Sequence, residues 1–310
     1  MATNDSYTSF KKRVTGNLAQ FNKWGQGSFN GKGPYSYIAK IEKDNRLEVV
    51  MDIINSDGVN GDLYQKPHRY AHHLNSSQVM CYEFFRPLMT PDPEHKYWGL
   101  AERSLVDFVR EKIGVRIKEG AICRFEYEDE GTKSSFKSYT GGKGEGEKSQ
   151  FDFYIKDGET EIFFEIKYTE SSFGKWPSDS RRISNQSVLN HCTYIDQGYK
   201  KMLSENPFFT QECKDDIESY RGLDFSNPDN PFNKQYQLFR NALKADTTKY
   251  SVFLFPRANP NTVREFKEFK RNLSPGQCHI IDLYWEDLHS PSYMSQRFFE
   301  KFINMLKHRP

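Results

Sequence analysis

Two carboxylates and one amine interrupt an otherwise apolar stretch near the middle of the chain, "FDFYIKDGETEIFFEIKYTE", which covers residues 151–170. They are Asp152, Glu165 and Lys167. Carboxylate oxygens are the ligands that Mg²⁺ prefers, and a lysine supplies a compact positive charge. A glutamate in so apolar a run is costly to bury unless a cation or Lys167 compensates it. These residue types therefore indicate a metal site with Asp152 and Glu165 as ligands, and the alternative is a hairpin whose charges simply face solvent.

The turn between the two strand-like runs decides whether these side chains can meet. An Asp-Gly pair at 157–158 is typical of a two-residue type I′ hairpin turn, whose central residues both need positive φ. This turn pairs Asp152 with Phe163, and residues two apart on one strand share a face of the sheet. We therefore expect Asp152, Glu165 and Lys167 on one face, with Asp152 and Glu165 as diagonal neighbours about 7–8 Å apart.

The other face of the predicted hairpin is almost continuously apolar, so helices must cover it. A slip of one residue would turn this whole face to solvent, which specifies the pairing strongly. Its predicted members are Phe151, Phe153, Ile155, Ile162, Phe164, Ile166 and Tyr168.

The surrounding elements alternate between helical and strand patterns and predict an α/β domain with a mixed sheet flanked by helices. The first 74 residues follow no clear pattern except a strand-like run at 46–54, and we expect an N-terminal extension packed on a core domain at 75–310. In the core domain we predict helices at 75–89, 100–114, 192–203, 233–246 and 292–307, and strands at 121–128, 151–156, 159–168, 250–256 and 278–285.

The overall composition is that of a globular protein, with 36% hydrophobic and 28% charged residues among 310. No apolar run approaches the ~20 residues of a membrane span, and the first residues have no apolar core of a signal peptide, so we expect a cytoplasmic protein with no membrane contact. Five scattered cysteines without a CxxC pair argue against a disulfide framework and a zinc knuckle. A net charge of +2 does not by itself indicate nucleic-acid binding.

Two further motifs do not match the nucleotide-binding or zinc-binding patterns that they superficially resemble. In the glycine-rich run "GGKGEGEKS", Glu147 stands where a Walker A motif needs lysine, so we expect a loop beside the active face whose Lys143 and Lys148 contact phosphate. The histidines at 68, 72 and 73 lack the HExxH pattern of a zinc helix, and we expect them on the surface.

The arrangement of Asp152, Glu165 and Lys167 resembles the D…E-x-K signature of the PD-(D/E)XK nuclease superfamily. The element order is similar to its restriction-endonuclease-like α-β-β-β-α-β core. Over residues 75–288, the segments "SSQVMCYEFFRPL", "FEYE", "FDFYI" and "FFEIKYTE" together resemble a group of bacterial restriction endonucleases. The resemblance implies a metal-dependent DNA endonuclease of restriction or defence type that leaves a 3′-hydroxyl and a 5′-phosphate.

The same resemblance implies roles for individual residues. Asp152 and Glu165 would bind Mg²⁺, for which Mn²⁺ can substitute, and Lys167 would orient or help deprotonate the attacking water. Glu126 is the favoured further acid, and Glu102 is the second candidate.

Accessory and DNA-contacting roles fall to Gln78, Gln237 and Arg240, although these are also ordinary polar helix residues. One departure from the family is Glu83, at a position where we expect an amide in relatives.

Two other functions stay open on the sequence. One is a repair or recombination nuclease of the same fold, and the other is a DNA-binding module without catalysis, which the intact Asp152, Glu165 and Lys167 set disfavours. DNA is the expected partner in each case. Cleavage of both strands favours a homodimer, and since the chain has no methyltransferase motif, a protecting methyltransferase would be a separate protein.

Overall fold

The computed structural model describes residues 6–42, 49–50, 72–89, 103–129, 149–174, 199–219, 234–288 and 293–307. The strands are β1 (Gln26–Phe29), β2 (Lys32–Ala39), β3 (Ile122–Asp129), β4 (Ser149–Asp157), β5 (Thr160–Ile166), β6 (Lys249–Phe255) and β7 (Ile280–Tyr284). The helices are α1 (Tyr7–Leu18), α2 (Ser77–Met89), α3 (Leu105–Phe108), α4 (Gln211–Ser219), α5 (Tyr236–Ala242), α6 (Pro260–Lys270), α7 (Gln296–Phe298) and α8 (Asn304–Lys307). Residues 199–205 are also helical, and π-helical turns extend α3 and join α7 to α8.

A five-stranded sheet in the order β3-β4-β5-β6-β7 forms the centre of the protein. The first three strands run antiparallel, and β5, β6 and β7 run parallel. A short turn can join antiparallel neighbours, whereas parallel neighbours need a crossover, and α6 makes the crossover between β6 and β7. This confirms the predicted mixed sheet flanked by helices and a restriction-endonuclease-like core.

Helices bury both faces of this sheet. On one face, which we call the first core, Phe85 of α2 stacks on Phe153 with ring centroids 4.1 Å apart. On the opposite face, the second core, Phe239 of α5 and Phe269 of α6 meet edge to face at 5.1 Å. Each fully buried aromatic side chain contributes roughly 1.5–3 kcal/mol, so these two cores hold the sheet in place.

Local capping explains where two of the flanking helices begin. The Ser104 hydroxyl accepts a hydrogen bond from the backbone N–H of Asp107, whose carboxylate accepts one in return from the Ser104 N–H, and this capping box opens α3. The side-chain oxygen of Asn259 accepts hydrogen bonds from the backbone N–H groups of Asn261 and Thr262 and so caps α6, with Pro260 in the first turn. The π-helical extension of α3 ends at Gly114, whose φ of +80° favours glycine.

The N-terminal region is more regular than the sequence predicts. It contains α1 and the β1–β2 hairpin, and Phe10, Val14 and Leu18 of α1 are buried in the first core. The predicted strand at 46–54 is wrong at residues 49–50, which are helical, and its other residues lie outside the described chain. The division of the chain after residue 74 stays a prediction.

The hairpin register differs from the predicted one by two residues. Phe163 pairs with Tyr154 instead of Asp152, and the turn consists of Gly158 and Glu159. Gly158 has a positive φ of +62° at the first central position, whereas Glu159 at the second does not, which matches a type II′ turn rather than the expected type I′. Because the shift is even, the paired residues of the hairpin keep their faces of the sheet.

Phe151 is the exception to the predicted apolar face. Its ring packs against Phe163, with centroids 4.8 Å apart, in a small cluster that also contains Tyr154. The strand alternation breaks at Asp152. This residue lies just beyond the last pair of the β4–β5 ladder, which is Phe153 with Phe164.

Among the residues that the structure describes, no helix has the length and apolar character needed to span a membrane.

Candidate functional site

The candidate site lies where β4 and β5 stop pairing. The last pair of the ladder is Phe153 with Phe164, so Asp152 and Glu165 are the next residues along the two strands. The Asp152 carboxylate accepts a hydrogen bond of 2.6 Å from the backbone N–H of Ile166. The Asp152 side chain, rather than a backbone carbonyl of β4, thus accepts the hydrogen bond from β5 at this point. This contact holds the carboxylate where the two strands stop pairing.

Glu165 is almost completely buried, with 3% of its surface exposed, and each of its oxygens accepts hydrogen bonds. One oxygen accepts from the Lys167 ammonium at 2.6 Å and from the Gln237 amide at 2.7 Å. The other accepts from the Asn241 amide at 2.6 Å. These three donors compensate the buried charge and hold the carboxylate in one orientation.

Lys167 follows Glu165 by two residues, and its ammonium also donates to the side-chain oxygen of Gln237 at 3.2 Å. Burial favours its neutral amine, but the nearby carboxylates of Glu165, Glu170 and Asp152 outweigh burial and raise the pKa of Lys167 above its ordinary value. The ammonium is therefore a fixed positive charge within the site.

Glu126 of β3 reaches the same site through a local distortion of its strand. Its φ is +51°, which is uncommon for a residue other than glycine, and the β3–β4 pairing is interrupted there. The side-chain amide of Gln150 donates to the Glu126 carboxylate at 3.0 Å, and the Gln78 side chain also hydrogen-bonds to it. Gln78 itself is 7% exposed, so it is buried beside the carboxylate it contacts.

Three carboxylates therefore share this site with one ammonium. Burial, and then the charges of Glu165 and Glu126, raise the pKa of Asp152 well above its ordinary value. Burial and the charge of Glu165 likewise raise the pKa of Glu126 to about 7. Three ionised carboxylates would carry more negative charge than Lys167 can compensate, so Asp152 and Glu126 hold their protons to higher pH than ordinary carboxyl groups, and a divalent cation would stabilise their ionised forms.

The carboxylate oxygens of the site fit Mg²⁺ better than a metal that needs three or more protein ligands. The described residues contain no group of three or more His, Cys, Asp or Glu side chains that could hold a metal ion. Mg²⁺ needs only one or two carboxylates because it keeps several of its waters. Asp152 and Glu165 meet that requirement, and Glu126 adds negative charge beside them.

A comparison with protein families matches residues 16–309 to the family described as "Restriction Endonuclease associating with ARP". The chain belongs to this family. Membership indicates a nuclease of restriction-endonuclease type and DNA as its substrate. No curated protein matches the chain, and no solved structure does.

Two residues of α5 in this restriction endonuclease family member contact Glu165. Gln237, which the sequence predicts as an accessory residue, and Asn241, which it misses, are four residues apart and therefore lie on one helix face. This i, i+4 spacing of amides in "QYQLFRN" is the signal that could have identified Asn241.

Gly174 is a second residue that the sequence analysis missed. Its φ is +124°, and a Cβ atom at this position would lie 2.6 Å from the side-chain oxygen of Gln237. Its carbonyl also accepts the backbone N–H of Gln237 at 3.4 Å. A glycine here lets Gln237 take the position from which it bridges Glu165 and Lys167.

The remaining predicted residues lie farther from the carboxylates or outside the described chain. Arg240 lies over the ring of Tyr236, with 5.7 Å to the ring centroid, and donates to the Asn241 side-chain oxygen at 3.5 Å. It thus contacts the residues that support the site. Glu102, Lys143 and Lys148 lie outside the described residues.

Two other expectations from the sequence concern buried residues. His72 is 7% exposed, so the prediction of a surface histidine is wrong there, because residues 72–74 pair with β2 and are covered. His73 is half-buried, and His68 lies outside the described residues. Glu83 forms a buried ion pair of 2.5 Å with Lys301 on the first-core side of the sheet.

Proposed function

We propose that the chain is a Mg²⁺-dependent DNA endonuclease of the PD-(D/E)XK type, with Asp152, Glu165 and Lys167 as its catalytic set and Glu126 as a further acid. The observation that carries this proposal is the excess of three buried or half-buried carboxylates over one ammonium where β4 and β5 separate. Such a cluster stabilises a cation and suits phosphodiester hydrolysis, in which negative charge develops at phosphorus.

Asp152 and Glu165 would hold the Mg²⁺, which Mn²⁺ can replace. When bound, this ion supplies Lewis-acid stabilisation of the phosphate charge and lowers the pKa of water. Lys167 orients the attacking water and places a positive charge beside the scissile phosphate. Glu126 increases the negative field that attracts the cation. The products are a 3′-hydroxyl and a 5′-phosphate.

Gln237 and Asn241 act as positioning residues. Gln237 donates to Glu165 and accepts from Lys167, so it fixes the positions of the two charged groups relative to each other. Asn241 fixes the other oxygen of Glu165. Together they restrict the rotation of a carboxylate that has to present a lone pair to a cation.

Plasmid cleavage tests this function directly. The purified chain should cut plasmid DNA with Mg²⁺ or Mn²⁺ and stop on addition of EDTA. Asp152→Asn and Lys167→Ala should abolish cutting, whereas Glu119→Gln, which removes an exposed carboxylate, should retain it. Full activity of both site variants would show that the residue assignment is wrong.

The same assay separates the other functions. Binding of DNA without cleavage of methylated or unmethylated plasmid would favour a DNA-binding module, and selective cutting of branched or damaged DNA would favour a repair or recombination nuclease. We also propose that cleavage of both strands requires a homodimer and that a separate methyltransferase protects the host DNA. The mass of the DNA-bound protein in solution tests the first of these two points.

A further inference from the structure

A cavity lined by aromatic rings lies next to the candidate site. The rings belong to Tyr7, Phe29, Tyr35, Tyr37 and His73, and each of these side chains is partly exposed. We call this cavity the aromatic cleft. Its volume is about 660 Å³, which lies within the ~300–1,000 Å³ typical of sites that bury a small ligand.

Hydrogen bonds hold the walls of the aromatic cleft without any ligand. The Tyr7 hydroxyl donates to the backbone carbonyl of Thr169 at 2.7 Å, and the Asn75 amide donates to the Thr169 hydroxyl at 2.7 Å. The backbone N–H of Leu74 donates to the Tyr37 carbonyl at 3.0 Å, which attaches β2 to the opposite wall. The Tyr7 ring and the β2 backbone that carries the other tyrosines are therefore held in place, and a ligand would lose less affinity to ordering the cleft.

The two tyrosine rings of β2 lie side by side in the aromatic cleft. Tyr35 and Tyr37 are two residues apart on β2, so they lie on one face, and their centroids are 5.8 Å apart at an interplanar angle of 48°. Phe29 meets His73 edge to face at 5.3 Å. The two tyrosine rings are tilted rather than stacked on each other, and rings in this arrangement can accept a flat group by stacking.

The aromatic cleft is also close to the proposed catalytic lysine. Thr169, Glu170, Ser171 and Ser172 form one side of it, and Thr169 follows Lys167 by two residues, at most about 7 Å along the chain. Lys11, which lies 6.0 Å from the ring centroid of Tyr7, adds a positive charge at the cleft. A strand of DNA with its phosphate at Lys167 would carry its neighbouring base to this cavity.

We propose that the aromatic cleft binds one unpaired nucleobase of the DNA substrate, stacked on the tyrosines of β2, beside the phosphate at Lys167. This inference rests on the proposed nuclease function and names the part of the substrate that the N-terminal region contacts. Every base has a π-face, and stacking on aromatic side chains contributes about 1–3 kcal/mol per base. In a duplex the base must first leave the helix, which is easiest at a mismatched or damaged pair.

Binding of two oligonucleotides of equal length tests the aromatic cleft. One is a single strand with all its bases, and the other has abasic sites at its central positions, so both present the same phosphates. Fluorescence anisotropy in EDTA gives their dissociation constants for the full chain. We expect the wild type to bind the base-bearing strand about tenfold more tightly or better. Tyr35→Ala and Tyr37→Ala should each reduce this ratio, and Tyr35→Phe should retain it because the ring remains.

The abasic strand serves as the internal control for folding, since a misfolded variant would lose affinity for both strands. Equal binding of the two strands by the wild type, or an unchanged ratio in both alanine variants, would overturn the inference. If plasmid cleavage persisted in that case, the nuclease function would stand without the aromatic cleft. A chain that neither bound nor cut DNA would overturn both proposals.

Discussion

Two buried groups of charge in this protein differ in their balance. On the first-core side, Glu83 and Lys301 form a single pair, 8% and 2% exposed, in which one negative charge meets one positive charge. At the candidate site, Asp152, Glu165 and Glu126 share one lysine. A balanced pair joins α2 to the C-terminal helices, whereas an unbalanced cluster costs stability unless something else supplies positive charge.

The two lysines show the same difference. Burial lowers the pKa of Lys301, and the single carboxylate of Glu83 only partly opposes it. Lys167 is also buried, yet several carboxylates raise its pKa. The number of charged neighbours, rather than burial alone, separates a structural ion pair from a site prepared for a cation.

The largest expected effect comes from Asp152→Asn. This change keeps an oxygen that can accept the Ile166 N–H but removes a charge from the proposed cation site. We expect the rate of plasmid cleavage to fall by about 10²-fold or more, to the point where no cutting is detected, because a bound metal ion contributes several kcal/mol of transition-state stabilisation. The free energy of unfolding should stay unchanged or rise, because repulsion among the carboxylates decreases. A urea titration in EDTA measures this, and a marked loss of stability would contradict the comparison.

Neutralising one partner of the balanced pair should have the opposite consequences. Glu83→Gln leaves Lys301 buried without its counter-charge and should lower the free energy of unfolding by about 3–5 kcal/mol. Cleavage per folded molecule should not change. As a control, Glu83→Gln combined with Lys301→Met should recover most of the stability, since the uncompensated charge is then gone.

Mg²⁺ should stabilise the protein by binding at the candidate site, and the Glu83–Lys301 pair should not affect this stabilisation. At 100 times its dissociation constant, Mg²⁺ should stabilise the wild type by about 2.7 kcal/mol through mass action. Thermal melts with and without Mg²⁺ measure the shift. We expect no shift in Asp152→Asn and a full shift in the Glu83→Gln/Lys301→Met double variant. A shift of equal size in Asp152→Asn would place the cation elsewhere.

The smallest effect is a pH dependence due to Glu126. Its folded pKa of about 7 exceeds the ordinary 4.5, so the folded state binds more protons than the unfolded state between these values. Stability in EDTA should therefore decrease as pH rises from about 4.5 to 7, by about 1–2 kcal/mol because the side chain is partly exposed. Glu126→Gln should remove this component. Urea titrations at pH 5 and pH 8 measure the free energy of unfolding at each pH. If this free energy changed between the two pH values by the same amount in Glu126→Gln as in the wild type, the prediction would be refuted.

The hairpin shows how much of the candidate site the sequence could predict. The turn type and the register were both wrong, but an error of two residues preserves the parity of the paired residues. Asp152 lies just beyond these pairs, and its carboxylate still interacts electrostatically with Glu165. The shift of two residues depended on Gly158 taking the first central position of the turn. Local turn chemistry alone did not distinguish these two solutions.

The N-terminal helix and the partners of the buried charges were harder to predict. In α1, Phe10, Val14 and Leu18 recur every four residues, but one serine, two threonines and one glycine in the same helix weaken the helical pattern. Glu83 meets Lys301 from a position 218 residues away, and no local pattern indicates such a pair.

By itself, the sequence determined the alternating apolar face of the hairpin, the sheet class and the grouping of Asp152, Glu165 and Lys167, because strand parity and hydrophobic periodicity are local properties. The tertiary structure alone decided that α5 places Gln237 and Asn241 on Glu165 and that Glu126 bends into the site. It also decided that β2 contributes rings to a cleft near Lys167. These features depend on helix packing and on contacts between residues far apart in the chain, which minimise the free energy of the whole fold rather than of any one segment.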